Sequence, residues 1–411
     1  MSGRLPAASL WGQPRSPARL QGLRIPPRRF GAATCAFALL LAACRSSAPE
    51  PEPASATPAA SAPATPSLRE LLGALGYTDS APASAAVAEP VAAPVAVPAP
   101  REPAPSAPGA TDLAAPLPST EPALQAISML GAPLHTPELD PAALVALEER
   151  LEHARRAHER EPHSAERAIE HGRRLSALNR FREAVDVYSA ALLEHPRSFE
   201  LLRHRGHRWI TLRQFERARD DLELAAILVR GLPPIDEPNL DPDPSKSWPS
   251  SVQHQIHYHL GLAHYLLRDY ERALPEWREA VRLAEGSPDM LCGASAWLYA
   301  TLRRLGQAEA ASHVLQPIHA GLEVREAGGY LRLLLLYRGE LRPSEAVRLQ
   351  AGAIERATVG YGLANWYQCN GRFDEAEGLY RALVALPCWQ AFGAIAAESE
   401  LVASFELPQA R

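Results

Sequence analysis

The stretches "AERAIEHGRRLSALNRFREAVDVYSAALLEHP" (residues 165–196) and "FELLRHRGHRWITLRQFERARDDLELAAILV" (residues 199–229) decide the fold. Gly172 aligns with Gly206, Phe181 with Phe215, Ala184 with Ala218 and Ala191 with Ala225, every pair 34 residues apart. Within each copy the apolar residues recur at spacings of three and four, which marks amphipathic helices. The glycine and alanines sit where two helices cross and their backbones approach, and bulky neighbours fill the interface. A fixed period of this length means like units stacked on one another, each burying its apolar face against the next.

The pattern resembles the tetratricopeptide repeat, a helix-turn-helix unit with small residues at positions 8, 20 and 27. A third copy begins near His254, with Gly261, Tyr270, Ala273, Trp277 and Ala280 in register. A fourth runs from Cys292 and lacks the position-8 glycine; a fifth, near residues 327–353, is weak; a sixth, "ATVGYGLANWYQCNGRFDEAEGLYRALVALP" from Ala357, is clear again. The resemblance implies an all-α, right-handed superhelical solenoid of about 13 to 15 helices. Two repeats occupy 165–231 and four occupy 254–388. Residues 126–164 form an N-terminal capping region, with Asp140 as helix cap and Pro141 at the first helical position. Residues 389–405, "WQAFGAIAAESELVASF", read as a C-terminal capping helix. Over residues 200 to 400 the chain is also similar to a group of bacterial tetratricopeptide lipoproteins that have no assigned activity.

Ahead of the repeats the composition changes. Residues 45–125 hold 17 of the 39 prolines, with much Ala, Ser and Glu. Such a segment buries too little apolar surface to offset the entropy of ordering it, so residues 44–125 are expected to be a disordered linker. Within it "SLRELLGALGY" (67–77) has helical leucine spacing, either a short docking helix or chance. Residues 1–43 carry six Arg and no acid, and end in an apolar run from Gly31 to Ala43 that is too short to span a bilayer. A basic flank, a short apolar centre and small residues make a secretory signal. "LAAC" at 41–44 resembles the lipobox of bacterial lipoproteins, which implies cleavage before Cys44 and acylation of its thiol. Arg45, where an aspartate would mark inner-membrane retention, favours the outer membrane facing the periplasm. Extended, the linker would reach roughly 250 Å, and as a coil roughly 50 Å.

Beyond Ala43 there remain 36 basic and 47 acidic residues, a net charge of −11, which argues against a non-specific nucleic-acid binder. The chain has one lysine, Lys246, and no phosphate-cradling glycine loop. "HEREPH" (158–163) misses the zinc motif H-E-x-x-H by one residue, and Pro162 breaks the helix. His204, His207, His254, His257, His259 and His264 crowd the second and third repeats, so a metal-dependent enzyme or metal-binding protein is the alternative function. His257 and His264 fall on the face turned toward the second helix of their repeat, which fits a hydrogen-bonded, partly buried pair. Residues 232–253 interrupt the register with an acidic, proline-rich insert. Its Asp236, Glu237, Asp241 and Asp243 lack the glycine and final glutamate of a calcium loop, and an insert of this length is more often a lid or contact loop. Cys292, Cys369 and Cys388 are not expected to form a disulfide: the last two fall at opposite ends of their hairpin, about 20 Å apart at 1.5 Å per helical residue.

Positions 2, 5, 9 and 12 of the first helix of each repeat share one stripe, which lines the concave face. They include Arg173, Arg203, His207, Tyr258, Tyr265, Arg303, Arg338, Tyr361 and Asn365. An arginine- and tyrosine-bearing groove in an acidic protein suits an acidic peptide or a C-terminal carboxylate. Arg173 and Arg203 occupy slots of the carboxylate clamp of chaperone-binding relatives, whose asparagines and lysines are missing here. The expected function is a non-enzymatic, lipid-anchored periplasmic scaffold that holds a protein or peptide partner in cell-envelope assembly, with no cofactor, no metal and no catalytic residue.

Overall fold

The computed structural model describes residues 73, 122–237, 250–348 and 351–406. All belong to one compact unit spanning Pro63–Arg411. The expected signal sequence, Cys44, most of the expected linker, most of residues 67–77, and Asp241 and Asp243 of the insert lie outside the described residues.

The described chain is a stack of helix pairs. Each first helix is followed by its second: α2 (Ala165–Ala177) by α3 (Phe181–Glu194), α4 (Phe199–Thr211) by α5 (Phe215–Val229), α6 (Val252–Leu266) by α7 (Tyr270–Leu283). The pairs α8 (Pro288–Arg304) with α9 (Ala308–Val314), α10 (Gly328–Tyr337) with α11 (Pro343–Ala346), and α12 (Ala353–Cys369) with α13 (Phe373–Val384) continue the stack. A leading helix, α1 (Pro141–Arg160), packs on α2, and its N-cap is Asp140, whose side chain accepts from the Ala142 amide. A last helix, α14 (Phe392–Glu406), completes the order. The fifth pair is short, which matches the weakness of its sequence pattern.

The repeat has a common local cause. A Cβ placed on Gly172 would lie 2.3 Å from the Tyr188 ring, on Gly206 2.7 Å from Leu222, and on Gly261 2.8 Å from Trp277. In all three the opposing residue lies sixteen positions on, so position 8 is glycine because the second helix crosses there. The turn between the helices is also shared. Asn179, Arg213 and Arg268 have φ of 58°, 63° and 61°, and the next amide bonds back to the first helix, as in Gln214 N to Trp209 O at 2.9 Å. This left-handed closure satisfies carbonyls the helix end would leave open.

Two features differ from expectation. First, residues 124–135 are not part of a helical cap. β1 (Leu124–Ile127) and β2 (Pro133–His135) pair antiparallel, so the fold is a helical solenoid with one small hairpin. Gln125 Oε1 accepts from the Arg182 amide at 3.2 Å, and Leu134 packs with Phe181, Val185, Leu212 and Trp389. Second, α14 is not an outer cap. Residues 393–401 are all buried. The helix packs on α12 and α13 and reaches across to α6, along the inner side formed by the first helices. A Cβ on Gly393 would stand 2.1 Å from the Ala357 carbonyl oxygen, so only glycine permits this approach.

The inner side is therefore largely filled by the chain's own C-terminal helix. Glu398 pairs with Arg213, and Glu400 pairs with Arg268 at 3.0 Å and with Arg304. Ser399 Oγ donates to the Leu266 carbonyl at 3.1 Å. The hairpin fastens the same end: Met129 N donates to Glu398 Oε2 at 3.1 Å and Trp389 Nε1 to the His135 carbonyl at 2.8 Å.

Candidate functional site

The expected groove residues part into two groups. Tyr265, Tyr361 and Asn365 are 2%, 3% and 1% exposed, and they do not line an open face. Tyr361 donates to Tyr265 at 2.7 Å, and Asn365 Oδ1 accepts from Arg304 Nε at 2.8 Å. Their place on the inner stripe is correct in register, but α14 covers it. Arg303 is spent between repeats: it donates to Tyr299 OH at 2.9 Å and to the Cys369 carbonyl at 2.9 Å. Arg338 donates to the Leu315 carbonyl at 2.7 Å and pairs with Glu340. Neither guanidinium belongs to a shared binding face.

Arg173, Arg203, His207 and Tyr258 do come together, where α14 leaves the N-terminal half of the inner side open. They line a cleft of about 550 Å³ with His204, Arg208, Gln255, His259, Glu237 and Phe392. It adjoins an open pocket of about 440 Å³ that shares Arg173, Glu237, Gln255 and Tyr258 and is also lined by Met290, Gly293, Tyr330 and the carboxylates Asp289 and Glu326. Tyr258 OH and Tyr330 OH are hydrogen-bonded to each other at 3.1 Å in the wall of this second space.

The charge of the cleft is unequal. Glu237 is the one carboxylate among its described lining residues, against the guanidinium groups of Arg173, Arg203 and Arg208. Arg203 is 6% exposed; it pairs with Glu237, and its Nη1 lies 2.9 Å from His204 Nδ1. Its Nε is buried without a hydrogen-bond partner among the described residues. Burial, with Arg203 nearby, brings Arg208 down to about 10 despite the favourable Tyr188, and its guanidinium rests 5.2 Å over the Phe181 ring. Burial lowers Arg173 as well, with Glu237 opposing the effect and Arg203 adding to it. Desolvated cations of this kind gain much from an anion that enters the site.

Burial disfavours the charged form of the three cleft histidines, His204, His207 and His259. Burial, then the nearby arginines, holds His204 and His207 well below the ordinary imidazole value. His259 is pushed down to about 3 by burial and Arg203, against the Gln255 carbonyl. The His207 and His259 rings lie 4.2 Å apart, and Phe392 packs on both. Their nitrogens serve the main chain: His259 Nδ1 is 2.6 Å from Gln255 O, and His254 Nδ1 is 2.9 Å from Ala280 O. His257 Nδ1 meets Glu276 at 2.7 Å on α7, and His264 Nε2 is 3.6 Å from Glu223 on α5. Among the described residues no three His, Cys, Asp or Glu side chains are placed to share a metal ion. The three described cysteines are free thiols.

His204, Arg208 and His259 escape a reading confined to positions 2, 5, 9 and 12. A signal was present: in "RHRGHR" (203–208) Arg203 and His207, and His204 and Arg208, are each four apart, so two adjacent stripes of one helix turn the same way. Glu237 gives no such signal, since its position depends on how the insert closes.

Residues 254–287 match the family model for the tetratricopeptide repeat. No curated protein gives a significant match to the chain. Among solved structures the chain is similar to YrrB, described as a tetratricopeptide protein with an unusual peptide-binding site. The identity is 17%, covering 54% of this chain and 95% of that one, with a TM-score of 0.32. It is also similar to a tetratricopeptide repeat protein from Parabacteroides merdae, at 15% identity over 63% of this chain and 94% of that one, with a TM-score of 0.36. The pair α6 and α7, in the middle of the stack, is thus a tetratricopeptide repeat in sequence as well as in shape.

Proposed function

We propose that this chain is a non-enzymatic scaffold that holds a protein or peptide by an anionic group, an acidic side chain or a C-terminal carboxylate, in the cleft around Arg203. The observation that carries the reading is the cleft's composition. Three guanidinium groups face one carboxylate there, and Arg203 Nε is buried with no hydrogen-bond partner among the described residues. An incoming carboxylate gives these desolvated guanidinium groups a charge-assisted partner. The adjoining pocket, with Tyr258 and Tyr330, gives the neighbouring ligand residue aromatic contact area.

The test is fluorescence anisotropy with a pool of labelled random hexapeptides, prepared with free carboxylate ends and with amidated ends. The wild-type chain is expected to bind the free-ended pool, and Arg203→Gln with Arg208→Gln to bind at least ~10-fold more weakly. Equal binding by wild type and variant would reject the cleft.

The proposed address is the periplasmic face of an outer membrane, with the mature chain tethered through an acylated Cys44 and a long linker. The support is "LAAC" at 41–44 and the proline-rich segment that follows. A single acyl chain anchors only marginally, so two or more are required for stable tethering. Labelling with radioactive palmitate checks it: the wild-type chain takes up label and Cys44→Ser does not. An unlabelled wild-type chain contradicts the anchor.

A further inference from the structure

The insert that interrupts the repeats is pinned at both of its described ends. The Glu237 amide donates to the Ser250 carbonyl at 2.7 Å and the Val252 amide to the Ile235 carbonyl at 2.8 Å. Gln253, 6% exposed, ties down the first of these segments: its Oε1 accepts from the Ile235 amide at 3.0 Å and its Nε2 donates to the Pro233 carbonyl at 2.7 Å. The clasp fixes the main chain of Glu237 at the mouth of the cleft and delivers its carboxylate to Arg203. The two side chains are 12% and 8% exposed, and His204 Nε2 lies 3.7 Å from Glu237 Oε1.

The pair is close but poorly satisfied. Arg203 Nε is buried without a hydrogen bond among the described residues, while Glu237 Oε1 is engaged by Arg203 Nη2 in the ion pair. A buried ion pair repays its desolvation only when geometry and hydrogen bonding are good, so this one contributes little net stability. It also leaves the cleft with an excess of positive charge, because Arg208 has no carboxylate beside it among the described residues. A carboxylate thus already occupies the site, and only another carboxylate can replace it without leaving Arg203 buried and uncompensated.

Building on the proposed function, we infer that Glu237 is an internal stand-in for the ligand: a peptide carboxylate binds by displacing the Glu237 side chain from Arg203. The exchange needs only side-chain rotation of Glu237 toward the open cleft, since its backbone is clasped. Glu237 then acts as a competitor of fixed local concentration, which sets how strong a carboxylate must be to enter. Apparent affinity is reduced by the fraction of molecules whose site is already filled. A bidentate carboxylate that reaches both Arg203 and Arg208 outcompetes Glu237, and a singly charged, poorly oriented one does not.

Anisotropy titration of the full chain with fluorescein-labelled tetraglutamate, free at its C-terminus, tests this. Glu237→Gln, which keeps shape and removes charge, is expected to tighten binding by roughly tenfold, and Arg203→Gln to weaken it by at least as much. Glu237→Asp, whose carboxylate falls one methylene short of Arg203, serves as the second variant if the glutamine variant fails to fold, and it is expected to tighten binding severalfold. If Arg203→Gln weakens binding but neither Glu237 variant strengthens it, displacement is overturned while the anion cleft stands. If no variant differs from wild type, or none binds the peptide, both readings fall.

Discussion

Arg213 and Glu398, 185 residues apart in the chain, form an ion pair whose side chains are 3% and 4% exposed. Arg213 sits in the left-handed turn of the second repeat, and Glu398 on the last helix. Arg213 also donates to the Trp389 carbonyl at 2.8 Å and lies 5.3 Å over its ring. The pair joins the beginning of the solenoid to its end and holds α14 on the inner side. It thereby decides which part of that side stays open.

Removing one partner leaves the other charge buried and alone. Glu398→Ala is expected to destabilise the fold by about 3–5 kcal/mol, whereas Arg213→Met with Glu398→Leu recovers most of that loss. Urea denaturation of the two variants checks this. Equal losses in both would mean that the pair acts through shape and not through charge.

Gly393 and Gly293 differ in what faces them. A Cβ on Gly393 meets the Ala357 carbonyl oxygen at 2.1 Å, a backbone atom that cannot rotate away; a Cβ on Gly293 meets Tyr258 at 3.6 Å, an ordinary contact. Gly393→Ala is expected to cost roughly 2–3 kcal/mol through displacement of α14. Gly293→Ala is expected to stabilise its helix by roughly 0.5–1 kcal/mol. Thermal melts of both, read by far-ultraviolet circular dichroism, separate the two cases.

Acid should weaken the fold through its buried imidazoles. His254 is pushed down to about 4 by burial, with the Ala280 carbonyl opposing, and His259 to about 3. Folded values lie below the unfolded value of about 6.5, so the unfolded chain binds more protons in between, and stability falls as pH drops through that window. The contribution is complete above about pH 6.5 and is lost progressively toward pH 4. For His254 it amounts to roughly 3 kcal/mol at most. The unfolding free energy, followed from pH 7 to pH 4.5, should fall less steeply in His254→Gln than in wild type. A parallel decline in both would remove His254 from the account.

The helix pairs were legible because their cause is local. Gly172, Gly206 and Gly261 each face a large side chain sixteen residues on, so a crossing point repeats in the sequence. The hairpin was not legible, since "LQAI" (124–127) is too short to show alternation and follows a proline-rich run. α14 was misplaced because helical spacing says nothing about what a helix docks on. One sign was available: apart from Glu398 and Glu400, "FGAIAAESELVAS" is small or apolar all round, as a buried helix is. The site followed the same division. Arg203, His207 and Tyr258 were found from stripe positions alone, whereas the burial of Tyr265, Tyr361 and Asn365 depends on contacts closed about a hundred residues apart, such as Tyr265 with Asn365.

Hydrogen-exchange mass spectrometry with and without the tetraglutamate peptide tests the central claim most directly. Slower exchange is expected in the peptides that contain residues 169–177, 203–208 and 254–259, which border the cleft, with no change along α14. Protection confined to other surfaces, or release of α14 on binding, would contradict the claim that the partner's carboxylate is held at Arg203.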